Sequence, residues 1–199
     1  MISVYNIKPQ FQRLLTPILV FLHNRKITAN QITVSACILS LLIGILFWFA
    51  DYNRLLFLAL PIGLLLRMAL NALDGMMARK YNQITTKGEM LNELGDSVSD
   101  LFVFFPLLKF QAESLYLVVL FIALSIINEY AGIMGKVIAG ERRYEGPMGK
   151  SDRAFLLGVY GLLNCFSISI SAYSGYIFIL LIILLCISTG LRIKKTLVR

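Results

Sequence analysis

Long apolar stretches separated by short polar segments run through almost the whole chain. Six of these stretches are close to the roughly 20 residues that an α-helix needs to cross the hydrocarbon core of a bilayer. Composition agrees, since 58% of the 199 residues are hydrophobic, against about 45–50% in soluble domains. The pattern predicts an all-α integral membrane protein with six transmembrane helices. We place these at residues 31–50, 54–79, 88–108, 114–138, 152–171 and 174–192.

The first residues follow a different pattern. Apolar positions recur at helical spacing through residues 8–23, but the apolar run Leu14–Leu22 is too short to span a bilayer. No small-residue cleavage site follows it, which disfavours a signal peptide. We predict an N-terminal amphipathic helix that lies in the membrane interface, with Pro9 in its first turn. Residues 1–27 then form a juxtamembrane segment, and residues 28–199 form one transmembrane domain.

Basic residues are distributed unevenly among the polar segments. Most of them precede the first predicted span, follow the last, or lie between spans two and three or four and five, whereas the opposite loops carry only Arg54 and Lys109. The pattern predicts a multi-pass protein of the plasma (inner) membrane. The positive-inside rule then places both of its termini and its loops at 80–87 and 140–152 on the cytoplasmic side. The formal charge of the chain is +8. We expect its basic residues to contact anionic membrane lipids and not nucleic acid, because no basic polar surface interleaved with aromatic residues is present.

Carboxylate and amide groups interrupt the second and third predicted spans. Counting inward from the loop between them at about 1.5 Å per residue gives each group a depth in the helix. Groups of equal or similar depth from the two spans form three tiers: Asp74 with Asn92, Asn71 with Asp96, and Arg67 with Asp100.

A carboxylate in hydrocarbon costs several kcal/mol unless something binds it. In the deepest tier we expect a structural salt bridge between Arg67 and Asp100, since buried polar pairs hold membrane helices together. No basic residue shares the tiers of Asp74 and Asp96, so these carboxylates indicate a hard divalent cation, Mg²⁺ or Mn²⁺. One histidine and three cysteines without paired spacing exclude His-based triads and His- or Cys-rich metal sites within one chain.

The positions next to these tiers fit a phosphorylated ligand. Gly75 and Ala78 carry little or no side chain, which leaves room beside the predicted cation. Arg79 lies at the mouth of the site, where a guanidinium can hold phosphate.

This segment resembles the signature of the CDP-alcohol phosphotransferases, D-x-x-D-G-x-x-A-R-(x)8-G-x-x-x-D-x-x-x-D. Residues 28–33, TANQIT, are similar to the P-N-x-I-T motif that precedes the first span of that family. Together with the six-span layout, the resemblance covers most of the chain. In this chain the signature keeps every spacing and reads Asn71-x-x-Asp74-Gly75-x-x-Ala78-Arg79, then Gly88-x-x-x-Asn92-x-x-x-Asp96.

Two positions depart from the signature, because Asn71 and Asn92 replace aspartates. An amide oxygen can still bind a metal ion, but the site loses two negative charges. Glu93 and Glu129 are candidates for a replacement carboxylate, and Glu93 and Asp100 are further candidate metal ligands. The number of metal ions therefore stays open, and a catalytically inactive relative that binds lipid or serves as a scaffold is an alternative.

The resemblance implies transfer of a substituted phosphate from a CDP-linked donor to an alcohol, with release of CMP. It implies that Asp74 and Asp96 are catalytic, Asp96 as the acceptor of the alcohol proton, and that a homodimer forms. By position, Asn71, Asp74, Asn92 and Asp96 would bind Mg²⁺ or Mn²⁺; Gly75, Ala78, Arg79 and Gly88 would contact the nucleotide; Lys150 and Arg153 would contact the acceptor.

The depth of the predicted site favours a membrane-bound donor. A cation just below the cytoplasmic surface matches the headgroup level of a lipid, so CDP-diacylglycerol fits better than a soluble CDP-alcohol. The acceptor stays open among glycerol phosphate, serine, inositol, inositol phosphate and other alcohols. An ion or proton transporter is disfavoured, because the outer halves of spans two and three are apolar over residues 55–66 and 101–108.

Overall fold

The computed structural model describes residues 8–168 and 170–198, and within them all regular structure is helical. The chain divides into two compact units, residues 1–103 and residues 104–199. The first unit contains α1 (Lys8–Asn24), α2 (Ala29–Trp48), α3 (Ala59–Lys80) and nearly all of α4 (Thr86–Phe104). The second contains α5 (Leu107–Phe110), α6 (Leu115–Ala139), α7 (Lys150–Cys165) and α8 (Ser174–Leu197). Short 3₁₀ segments precede α3, α6 and α8, at Arg54–Leu58, Ala112–Ser114 and Ser171–Tyr173.

Four of the helical segments in the described part of the chain are long and apolar enough to cross a membrane. They contain α2, α3, α6 and α8. Helix α4 is 19 residues long, but its site carboxylates and flanking charges lower its hydropathy. Helix α7 has only 16 residues. The helical class is therefore confirmed, while the crossing of α4 and α7 stays a prediction.

Two predicted spans are longer than the helices found there. The third was expected to continue to residue 108, but α4 ends at Phe104 and the chain turns before Pro106 starts the short α5. Proline has no N–H to continue a helix, and its ring clashes with the preceding turn. The fifth was expected to reach residue 171, but α7 ends at Cys165 and Ser167 adopts a left-handed backbone with φ 61°.

Helix α1 confirms the helix predicted at residues 8–23. One face packs into an apolar cluster with α2 and α3, while Leu14, Ile18 and Phe21 on other faces are exposed. His23 at its end stacks on Tyr81, with ring centroids 3.5 Å apart. The location of α1 in the membrane interface stays a prediction. The buried members of the cluster are Leu15, Leu19, Ala29, Ile32, Leu73 and Met77.

The start of α2 is held by reciprocal side-chain caps. The Thr28 hydroxyl accepts a hydrogen bond from the backbone N–H of Gln31 at 3.3 Å, and the Gln31 side chain accepts one from the N–H of Thr28 at 2.9 Å. This capping box satisfies two of the N–H groups that a helix start leaves without partners. The Gln83 side chain, from the α3–α4 loop, accepts a bond from Ala29 N–H at 2.8 Å. The start of α2 is thus fixed against the loop that joins the two site helices.

Candidate active site in the first unit

Asp74 is the more buried of the two carboxylates in the signature, with 5% of its surface exposed. It lies on α3, and its Oδ2 accepts a hydrogen bond of 2.9 Å from the hydroxyl of Thr33 on α2. The contact joins residues 41 positions apart, so counting along α3 and α4 does not reveal it. The only sequence signal for Thr33 is its place at the end of the TANQIT motif.

The next tier joins α3 to α4 directly. Asn71 Nδ2 donates a hydrogen bond to Asp96 Oδ1 at 3.2 Å. The two side chains predicted to lie at equal depth therefore meet. Asp96 is half-buried, as are Asn92 and Glu93 nearby on α4. This tier places an amide and a carboxylate where the signature has two carboxylates.

The deepest tier is the predicted salt bridge. Arg67 Nη2 lies 2.6 Å from Asp100 Oδ1, and both side chains are buried. The same nitrogen lies 3.4 Å from the backbone oxygen of Asp96. Arg67 thus fixes the backbone of α4 next to the site and holds Asp100, the carboxylate that the sequence also offered as a further metal ligand.

We expect Asp100→Asn to lower the free energy of unfolding by about 1.5–3 kcal/mol, because a charge-assisted hydrogen bond to a buried guanidinium is lost. Chemical unfolding in mixed micelles measures this. CMP release per folded molecule should fall much less than stability. Loss of turnover in a protein as stable as the wild type would instead make Asp100 part of the reacting site.

Arg79 lies back over Gly75, one helical turn earlier. A Cβ atom built on Gly75 would sit 3.3 Å from Arg79 Nη1 and 3.4 Å from Nη2. A Cβ atom at Gly75 would therefore be in close contact with the guanidinium, which lies along α3. Ala78 is half-buried and packs against the cluster around α1.

Gly88 permits a close approach between the first turns of α4 and α2. A Cβ atom at Gly88 would sit 2.8 Å from Asn30 Oδ1 and 3.0 Å from Thr85 Oγ1. Thr85 Oγ1 also accepts a hydrogen bond from Gly88 N–H at 3.0 Å. A larger residue at position 88 would have to displace these two side-chain oxygens, and the predicted nucleotide contact of Gly88 stays a prediction.

The two residues predicted to contact the acceptor lie in the second unit, at the start of α7. Lys150 is half-buried, whereas Arg153 is 2% exposed. Arg153 donates hydrogen bonds to Met148 O at 3.1 Å and to Glu129 Oε1 at 3.0 Å. Glu129, a candidate replacement ligand for the metal, is therefore engaged with Arg153.

Glu129 is the centre of a cluster that the sequence pattern did not predict. Its Oε2 lies 3.0 Å from Arg142 Nη2, and its Oε1 lies 3.9 Å from Arg192 Nη1. Arg192 also donates to Asn128 O at 2.6 Å. Three guanidinium groups thus surround one buried carboxylate and connect α6, α7, α8 and the loop at 140–149. The sequence feature that could have indicated this cluster is the polar pair Asn128–Glu129 within an otherwise apolar helix.

The same loop carries a second, more exposed ion pair. Glu145 Oε1 lies 3.1 Å from Lys195 Nζ. Partial burial on its own raises the pKa of Glu145, but hydrogen bonds from backbone N–H groups and from Lys195 outweigh burial and hold the pKa below its ordinary value. Glu145 therefore stays ionised and holds the loop against the end of α8.

Comparison with known proteins assigns the chain to a family. A family model described as CDP-alcohol phosphatidyltransferase matches residues 26–191. The chain belongs to this family.

A similar protein is known in Escherichia coli (strain K12), the inner membrane protein YnbA. It is 48% identical to this chain over 160 residues, which cover 80% of this chain and 79% of YnbA.

Two crystal structures of Mycobacterium tuberculosis phosphatidylinositol phosphate synthase (PgsA1) share the fold. The complex with manganese and citrate has a TM-score of 0.75 at 19% identity and covers 92% of this chain and 88% of PgsA1. The structure with CDP-DAG bound has a TM-score of 0.76 at 20% identity and covers 94% of each chain. At 19–20% sequence identity, these two comparisons establish a shared fold only.

The side chains at the signature positions fit a hard divalent cation as ligand. The signature positions offer two carboxylates and two amide groups, all of them oxygen donors of the kind that Mg²⁺ and Mn²⁺ prefer. Within the described residues, no three side chains of the His, Cys, Asp and Glu types form a metal-binding group. Asparagine at positions 71 and 92 makes amide oxygens part of any ligand set built on the signature.

Proposed function

We propose that this chain transfers the phosphatidyl group of CDP-diacylglycerol to the hydroxyl of a polar alcohol, with release of CMP, in phospholipid synthesis. The observation that carries the proposal is the hydrogen bond of 3.2 Å from Asn71 to Asp96, because it joins the two halves of the signature across α3 and α4. Family membership supports the reaction type.

In the proposed reaction the alcohol oxygen attacks the phosphorus of the phosphatidyl group. The new P–O bond forms as the bond to CMP breaks, and CMP leaves with that electron pair. Asp96 accepts the proton of the alcohol, a role that suits a half-buried carboxylate oriented by the Asn71 amide. A bound Mg²⁺ or Mn²⁺ would supply positive charge to the phosphoryl oxygens. No covalent enzyme intermediate is needed.

The remaining signature residues would bind the nucleotide and the cation. Asp74, with Asn71, Asn92 and Asp96, would hold the cation, and Glu93 is a further candidate. Arg79 would pair with phosphate from its position over Gly75.

We propose that α4 and α7 cross the bilayer together with the four apolar helical segments, which gives six spans in the inner membrane. The excess of basic residues in alternate loops supports cytoplasmic termini. The name of the relative YnbA supports the inner membrane as the location. The donor would enter from the lipid phase, with its acyl chains in the bilayer, and the PgsA1 structure with CDP-DAG bound supports this choice of donor.

We further propose that Lys150 contacts the acceptor and that Arg153, which shares one face of α7 with Lys150 at i, i+3 spacing, supports it from the Glu129 cluster. A homodimer is the proposed assembly.

A two-way assay with the purified full chain tests the proposed function. In the forward direction, CDP-diacylglycerol, Mn²⁺ and a panel of glycerol phosphate, serine, inositol and inositol phosphate should yield CMP and one new lipid by mass spectrometry. In the reverse direction, labelled CMP and a total lipid extract from the native membrane should yield labelled CDP-diacylglycerol, whatever the alcohol. Product in neither direction would contradict the proposal.

A lipid-binding relative without transferase activity is the second candidate. The observation that favours it is the replacement of two signature aspartates by Asn71 and Asn92, which removes two negative charges from the site. This candidate predicts CDP-diacylglycerol binding with no product in either direction of the assay.

Asn71→Asp tests whether a cation binds at this tier. The substitution replaces the amide that donates a hydrogen bond to Asp96 with a second carboxylate. Because two neighbouring carboxylates repel each other, we expect the variant to be less stable than the wild type in EDTA. In Mn²⁺ the cation would neutralise both carboxylates. If affinity rises tenfold, stabilisation by saturating Mn²⁺ grows by about 1.4 kcal/mol relative to the wild type.

Unfolding with EDTA and with Mn²⁺ measures both effects. Asn164→Asp is the matched control, because Asn164 also donates from its amide, to Tyr160 O at 2.8 Å, but lies in the second unit. An equal response to Mn²⁺ in Asn71→Asp and the wild type would contradict a cation at this tier.

A further inference from the structure

Thr33 lies where α2 meets both helices of the candidate site. It is 8% exposed, and its hydroxyl donates to Asp74 Oδ2 on α3 at 2.9 Å. Its methyl carbon would lie 3.8 Å from a Cβ built on Gly95, which precedes Asp96 on α4. The Thr33 side chain therefore contacts Asp74 on α3, and it faces α4 at Gly95, the residue before Asp96.

The hydroxyl of Thr33 has two acceptors within reach. Besides Asp74, its oxygen lies 3.2 Å from Ala29 O in its own helix. The bond to the Asp74 carboxylate is the shorter of the two, by 0.3 Å. This bond ties Oδ2 of the Asp74 carboxylate on α3 to the side chain of Thr33 on α2.

The support for Thr33 is itself rigid. Thr33 lies five residues after Thr28, in the part of α2 fixed by the capping box and by the contact from Gln83 to Ala29. A β-branched side chain in a helix has few allowed rotamers. The methyl group faces the space that Gly95 leaves open, and this orientation is compatible with the hydroxyl on Asp74.

We propose that Thr33 is a positioning residue of the metal site: its hydroxyl orients the Asp74 carboxylate toward the cation. The proposal rests on the proposed function, because it takes Asp74 to be a metal ligand. Residues that orient metal ligands commonly affect metal affinity by 10- to 100-fold. Thr33 therefore belongs to the cation-binding machinery although it lies on a different helix from the signature.

The test measures Mn²⁺ binding to the full chain in micelles by isothermal titration calorimetry, with unfolding in EDTA measured in parallel. Thr33→Val removes the hydroxyl at nearly constant shape. Thr33→Ser and Thr33→Ala both remove the methyl group and differ only in the hydroxyl, so this pair decides the question even if Thr33→Val does not fold. Ser40→Ala is the matched control, since Ser40 is a buried hydroxyl on α2 that bonds to Ala36 O at 2.7 Å.

We expect Thr33→Ser to keep Mn²⁺ affinity within about twofold, and Thr33→Ala and Thr33→Val to lose about 10- to 100-fold. Ser40→Ala should bind Mn²⁺ as the wild type does. In the CMP-release assay, the Mn²⁺ concentration for half-maximal activity should rise by the same factor as the loss of affinity, while the rate at saturating Mn²⁺ changes less.

The outcomes separate this inference from the proposed function. Mn²⁺ binding by the wild type with equal affinity in Thr33→Ser and Thr33→Ala overturns the positioning role alone. No Mn²⁺ binding by the wild type overturns the metal site and the positioning role together.

Discussion

Replacement of Asp96 by alanine is expected to lower CMP release from CDP-diacylglycerol by about 10²- to 10⁴-fold, the usual contribution of a general base. In the proposed reaction Asp96 removes the proton of the attacking alcohol and contributes a ligand oxygen to the cation. The Asn71 amide, 3.2 Å away, holds this carboxylate in position, and alanine has no group that could replace it. The rate is measured as CMP formed per folded molecule at saturating Mn²⁺ and donor.

Glu89→Gln is the matched control for Asp96→Ala. Glu89 is an exposed carboxylate in the first turn of the same helix, so its loss removes a charge from α4 without touching the Asn71 tier. We expect Glu89→Gln to retain most of the wild-type rate. Full activity in Asp96→Ala, or an equal loss in both variants, would contradict the role of Asp96 as the base.

Replacement of Glu129 by alanine is expected to lower the free energy of unfolding by about 3–5 kcal/mol, because it removes the partner of buried charges. Arg153 would keep its bond to Met148 O but lose its counter-charge, and Arg142 would lose its contact of 3.0 Å. The remaining guanidinium groups would then repel one another. Chemical unfolding in mixed micelles measures the change.

Glu141→Ala is the control for Glu129→Ala. Glu141 pairs with Arg143 at 3.4 Å, but its side chain is 78% exposed. Solvent screens such a pair, so we expect a change of at most about 1 kcal/mol. Equal stability of the two variants would show that the Glu129 cluster does not hold the second unit together. Loss of activity without loss of stability in Glu129→Ala would place Glu129 in the reaction instead.

The distance of each polar residue from the loop between α3 and α4 was the sequence feature that best predicted contacts in the site. It predicted that Asn71 would meet Asp96 and that Arg67 would pair with Asp100, and both contacts are present. This feature works because α3 and α4 are consecutive helices joined by a short loop, so equal distance from the loop means equal height.

The same feature fails for partners on other elements. Glu129 was a candidate for a replacement carboxylate at the metal site, but position along the sequence does not say which face of α6 carries its side chain or which helix that face packs on. Its actual partners come from α7, α8 and the loop at 140–149. Thr33 was missed for a related reason, since its bond to Asp74 depends on the packing of α2 against α3.

Helix ends were also only partly predictable. The apolar run of the third predicted span continues past Phe104, and hydropathy alone gives no reason to stop there. The helix ends because Pro106 cannot continue it, and a new short helix begins. The fifth predicted span was too long for a similar reason, since hydropathy does not register the left-handed backbone of Ser167.

The central claim is that oxygen atoms of α3 and α4 together hold a divalent cation against the phosphates of the donor. Anomalous diffraction at the manganese edge, from crystals of the protein grown with Mn²⁺ and CDP-diacylglycerol, tests it most directly. We expect a manganese peak within about 2.5 Å of carboxylate oxygens of both Asp74 and Asp96. A peak that touches neither residue, or bound donor with no manganese beside these carboxylates, would contradict the claim.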